Sequence, residues 1–171
     1  MSTTERSGDR TTTERGRALV EAVGRHDLDA LRAAWDETSA DEFVALDLVV
    51  RGPEALTAFF SELFAAVPDL AMEVQDAFGS GDRAVVRWRL TGTFTGGPFQ
   101  GIDATGRSLD LRGVDVMDFR GEILRHNTVY YDGATWAREI GMLPALRSPA
   151  DRALTRAFNA TTAARRRLKR S

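Results

Sequence analysis

Apolar residues change their period near Pro68. Before it they recur mostly at three- and four-residue intervals, the spacing of one helix face. Leu19, Ala22 and Val23 predict a helix from Thr13 to about Gly24. Asp27 reads as the N-cap of a second, short helix carrying Leu28, Leu31, Ala34 and Trp35. Glu42 to Val50 interrupts the helical period and reads as a strand. Gly52-Pro53-Glu54 then opens a third helix, with Pro in its first turn and Leu56, Phe59, Phe60, Leu63 and Phe64 along it.

After Pro68 the period falls to two. Strands are predicted at Ala71–Phe78, Arg83–Phe94, Ser108–Phe119 and Glu122–Tyr131. Gly79–Asp82 and Arg120-Gly121 mark turns, and the glycine pairs of Gly96–Gly106 mark a longer loop. Ala134, Trp136, Ala137 and Ile140 predict a closing helix that stops at Gly141. Helices first and consecutive hairpins later make an α+β fold with a mainly antiparallel sheet. From Pro149 onward a further helical stripe runs through Ala153, Leu154, Ala157, Phe158, Thr161, Ala164 and Leu168, ending in RRRLKR. Three parts follow: a disordered leader over 1–12, a domain over 13–146, and a basic amphipathic tail over 147–171.

Composition narrows the chemistry. The 171 residues suffice for one domain with a full core, and 43% of them are hydrophobic. With no cysteine, thiolate metal sites and cysteine nucleophiles are excluded. Two histidines far apart, His26 and His126, argue against a transition-metal site. No apolar run has membrane-spanning length and the N-terminus lacks a signal-peptide core, so a cytoplasmic protein is expected. From Arg147 onward, eight basic residues face Asp151 alone, which leaves 15 basic and 24 acidic for the rest. Such a tail reads first as a helix docked on the body or on a partner subunit. A nucleic-acid or anionic-membrane contact ranks lower, because no aromatic interleaving or nucleic-acid motif accompanies the charge.

Four ordered segments carry a resemblance: RGPEALTAFFSELFAAVPDL (51–70), GDRAVVRWRLTGTFTGGPFQGIDATGR (81–107), LRGVDVMDFRGEILRHNTVYYD (111–132) and REIGMLP (138–144). In this series the chain resembles the SnoaL-like polyketide cyclases of the nuclear transport factor 2-like superfamily. The resemblance implies a cone, in which a strongly curved antiparallel sheet wraps N-terminal helices around a deep pocket. It also implies a homodimer and a cofactor-independent aldol ring closure on an apolar, polyketide-like carbonyl compound. Relatives that hydrolyse epoxides or hydroxylate, and others that only bind or dimerise, supply the alternatives.

Such chemistry needs a base beside a C–H next to a carbonyl, and donors for the enolate oxygen. Asp132, which matches the Asp of the family's VYYD motif, is the expected base; its competing role is to cap the helix that follows. His126, the second expected catalytic residue, lies six residues earlier, so a regular strand puts the two on one face, where it would donate to the substrate carbonyl or set the charge state of Asp132; Asn127 lies opposite unless a bulge intervenes. Asn127 and Tyr130 are expected to position the substrate oxygen. Arg112 and Asp115 offer a charge-assisted pairing that also involves Asp118. Trp88, Phe99 and Met117 could line the pocket or be plain core.

Overall fold

In the computed structural model residues 3–168 are described. Helix α1 spans Thr3–Gly24 and α2 spans Leu28–Ala33; strand β1 (Ala40–Phe43) and strand β2 (Leu48–Arg51) follow, then α3 (Gly52–Ala66). Four strands come next: β3 (Ala71–Ser80), β4 (Arg83–Thr93), β5 (Ser108–Arg120) and β6 (Ile123–Tyr131). Helices α4 (Gly133–Glu139) and α5 (Pro149–Leu168) end the chain. The six strands form one curved sheet in the order β2-β1-β6-β5-β4-β3. Among the described residues only the β1–β6 pairing is parallel.

Two elements differ from the expectations. The predicted strand over Glu42–Val50 is a hairpin, β1 and β2, turned by a 3-10 segment at Val44–Leu46 with Asp47 in the left-handed region. A continuous apolar run cannot reveal such a fold-back. Helix α1 begins at Thr3, within the stretch read as a leader. Thr12 anchors it to the sheet by donating to the Gly81 carbonyl, at 2.8 Å, and the helix extends back from that anchor turn by turn.

The expected caps form as read. Asp27 accepts from the Ala30 amide at 3.0 Å, and Pro53 stands in the first turn of α3. Helix α1 lies directly on β3; a Cβ at Gly24 would sit 2.9 Å from the backbone of Met72. One continuous core fills the space between the sheet's concave face and the helices. Helix α5 stands apart from it: Leu154 and Phe158 are 53% and 69% exposed, so the body does not cover its apolar stripe.

The phase of β6 decides which residues face the core. Leu124 is inward and buried, and strict alternation from it would turn His126, Thr128 and Tyr130 inward. The register against β5 shifts between Asp118, opposite His126, and Phe119, opposite Leu124, which makes Arg125 an extra residue. That bulge resets the phase. From there Asn127 and Val129 face in, both buried, and Tyr131 follows them. The bulge is pinned on its buried side: the Leu124 amide donates to the Ala34 carbonyl at 2.9 Å, and the Ser39 hydroxyl donates to the Leu124 carbonyl at 2.7 Å.

Candidate active site

A cavity of about 90 Å³ opens between the concave face of the sheet and α3. Its walls are rich in aromatic rings, Phe43, Phe59, Phe60, Phe99, Trp88 and Trp136 among them. Phe59 packs on Phe43 with ring centroids 4.2 Å apart, and Phe99 meets Trp136 edge to face at 6.0 Å. The polar side chains in the lining are Asp115, Asn127 and Tyr131.

Asp115 is 7% exposed. Its Oδ1 accepts from Trp88 Nε1 at 2.8 Å, and its Oδ2 takes a longer contact from Asn127 Nδ2 at 3.3 Å. Burial pushes the Asp115 carboxyl up to about 6, while the bonds from Trp88 and Asn127 restrain the rise. The Trp88 bond depends on Gly113, which is directly opposite Trp88 in the β4–β5 register. The indole lies across that glycine, and a Cβ there would come within 2.3 Å of Trp88 Cζ2.

Asp41, opposite Asn127 in the parallel β1–β6 register, supplies a second buried carboxyl, 2% exposed. Burial and the neighbouring Asp115 charge push it up to about 8, partly offset by Asn127. Burial also raises the Tyr131 hydroxyl to about 12, so it stays a neutral donor at physiological pH.

Of the residues singled out in the sequence, Trp88, Phe99, Asp115 and Asn127 line this cavity. Met117 lines a smaller neighbouring cavity instead. Asp132 lies outside both. It is exposed and is the N-cap of α4, accepting from the Ala134 amide at 2.9 Å and from the Thr135 hydroxyl at 2.7 Å. Those bonds hold its carboxyl below the usual carboxylate range, the opposite of what a base at neutral pH needs.

His126 and Asp132 do share a face, but the bulge makes it the outer one. His126 Nε2 sits 3.4 Å from Glu42 Oε2 and 3.2 Å from Thr128 Oγ1. Tyr130 is also outward, at 49% exposure. Arg112 is exposed on the outer side of β5, and Asp118 there pairs with Arg83 at 2.6 Å. No Arg112–Asp115 pairing forms across the sheet. Asp41 is a site residue that the sequence reading missed, and Tyr131 was read only as apolar surround. A lone Asp between Ala40 and Glu42 carries no motif, and Tyr131 was hidden by the phase of β6.

The comparisons with known proteins agree with this architecture. The model of the SnoaL-like polyketide cyclases matches residues 13–140. The chain belongs to that family. A candidate SnoaL-like polyketide cyclase from Jannaschia sp. CCS1 is 25% identical, with 80% of this chain and 96% of that one covered at a TM-score of 0.71. AclR, a candidate hydroxylase from Streptomyces galilaeus, is 20% identical over 95% of this chain and 98% of its own, at a TM-score of 0.69. TsrD from Streptomyces laurentii is 24% identical over 79% and 98%, at a TM-score of 0.67. No curated protein matches the chain. Among the described residues no helix is long and apolar enough to cross a membrane.

Proposed function

We propose that this member of the SnoaL-like family is a cofactor-independent enzyme that moves a proton on a compact, apolar carbonyl compound, with Asp115 as its general base. The observation that carries the reading is a buried carboxyl, raised to about 6, in the wall of an aromatic cavity. At neutral pH such a group is mostly ionised, yet basic enough to take a proton from carbon beside a carbonyl.

In an aldol-type closure Asp115 removes the α-proton and becomes the neutral acid. The electron pair of the broken C–H bond moves into the enolate, whose oxygen accepts a hydrogen bond from the neutral Tyr131 hydroxyl. The enolate carbon then attacks a second carbonyl of the same molecule, and Asp115 returns its proton to the new alkoxide. Trp88 and Asn127 hold the carboxylate against the wall while the aromatic lining excludes water. Asp132 has no part in these steps; it holds the start of α4, the helix that carries Trp136 into the lining.

The test is deuterium exchange of α-protons, followed by NMR, over a panel of aromatic polyketide esters. Thermal shift confirms binding in the same samples. Both wild type and Asp115→Asn are expected to be stabilised by a ligand, with exchange falling roughly 10²–10⁴-fold in the variant. Exchange that survives in Asp115→Asn and disappears in Asp132→Asn would return the base to Asp132. Stabilisation without exchange in the wild type would leave a binding module, the alternative reading.

A further inference from the structure

Behind Asp115 and Asn127 lies the smaller cavity, of about 30 Å³. Those two residues, with Val23 and Phe60, belong to both cavities. Its other polar groups are Trp35 from the loop after α2 and Asp41 from β1; α1, α2 and α3 contribute only apolar side chains.

Three buried polar atoms of this lining have no hydrogen-bond partner among the described residues: Trp35 Nε1, Asp41 Oδ1 and Asn127 Oδ1. The residues are 7%, 2% and 4% exposed respectively, so bulk water does not serve them. Leaving each unpaired forfeits its hydration with nothing in return, and native folds leave few such atoms. The three are complementary in kind: one is an obligate donor, one an amide acceptor and one a carboxyl oxygen. A buried water takes 2–4 hydrogen bonds and needs roughly 10–15 Å³ of room, so one molecule matches both the atoms and the space.

We propose that this smaller cavity binds a single water molecule, held by Trp35 Nε1, Asp41 Oδ1 and Asn127 Oδ1, and that Asp41 is a positioning residue acting through it on Asp115. The water accepts from the Trp35 indole and donates to the Asn127 carbonyl oxygen. That fixes the Asn127 amide with its NH₂ directed at Asp115. Asp41 closes the ring of contacts from β1. The titratable groups facing the two cavities are Asp41, Asp115 and Tyr131. Tyr131 remains protonated throughout the neutral range, which leaves the carboxyl pair to hold one proton between about 6 and about 8.

The positioning half rests on Asp115 being the base, but its test needs neither substrate nor turnover, so failure of the exchange assay and failure here are distinguishable. A high-resolution crystal structure should show one ordered water on the three named atoms. In ¹³C-carboxyl NMR, the Asp115 resonance of the wild type should report its own step and a second, smaller one as Asp41 ionises. Asp41→Asn, nearly isosteric, should erase the upper step and keep the lower. Trp35→Phe removes the donor that holds the water, loosens Asn127, and should move the Asp115 midpoint upward. A small cavity found dry, or an Asp115 midpoint unmoved by Trp35→Phe in a protein that still shows the wild-type fold, would overturn the proposal.

Discussion

Asp115 and Asp132 are the same side chain in opposite surroundings. Asp115 faces the concave side of the sheet, where burial holds its proton to about 6. Asp132 stands in solvent at a helix start, where the Thr135 hydroxyl and backbone amides stabilise its charge. A carboxylate that is well satisfied in its ionised form is a good cap and a poor base; one that is under-solvated is the reverse. The difference is set by place in the fold: Asp115 points inward from β5, and Asp132 begins α4 beside Ala134 and Thr135.

The comparison is broken most directly by pH, because the two environments give slopes of opposite sign. Asp115 and Asp41 are raised in the folded state, so the native protein keeps protons that the unfolded chain has released. Their contribution to stability is full below the unfolded value near 3.8 and declines as pH rises through about 6 for Asp115 and about 8 for Asp41. Asp132 is lowered, so what it contributes is present above its unfolded value and is lost on acidification. One pKa unit corresponds to about 1.4 kcal/mol, which makes the buried pair the largest effect. Urea midpoints taken from about pH 5 to pH 8.5 should therefore fall, and the double variant Asp41→Asn, Asp115→Asn should flatten that fall. An unchanged slope in the double variant would mean that the pair is not raised.

Gly113→Ala tests how the inner wall is assembled. The new Cβ meets the Trp88 ring at 2.3 Å from Cζ2 and 2.4 Å from Cη2, so the indole must turn off its rotamer or β5 must move away from it. Overpacking of this kind costs roughly 1–3 kcal/mol. Displacing the indole also releases its bond to Asp115, so loss of stability should come with a change in the Asp115 titration. A variant that melts lower while Asp115 titrates as before would separate packing from positioning.

Most of the fold was legible because its signals were local. Pro53, Asp27 and Gly141 punctuate the helices, and the period-two runs after Pro68 define the hairpins. The site was legible only in part. Trp88, Phe99, Asp115 and Asn127 were among the residues singled out and line the cavity, whereas Asp132, read as the base, stands outside it as the cap of α4. Apolar residues at Ile123 and Leu124 set an alternation that Arg125 breaks, and a bulge at a charged, exposed residue leaves no mark in composition. Asp41 was invisible for another reason: its burial follows from the parallel pairing of β1 with β6, a contact between residues more than eighty positions apart.

The smallest effect falls on the other member of the pair. Asp132→Ala removes the carboxylate that accepts from the Ala134 amide and the Thr135 hydroxyl. Loss of an exposed N-cap should lower the melting temperature by roughly 2–4 °C. Some of that loosening should reach the cavity, because α4 places Trp136 against Phe99 and Phe94. Ligand binding should therefore weaken more than the chemical step: KM should rise while kcat stays within about twofold, the pattern of lost uniform binding. Asp132→Asn, which keeps a capping side chain, should restore most of both. A base would behave differently, since Asn cannot take a proton and kcat would collapse in either variant. The ratio of Asn to Ala at position 132, read separately on melting temperature and on kcat, thus distinguishes a cap from a base without reference to any other residue.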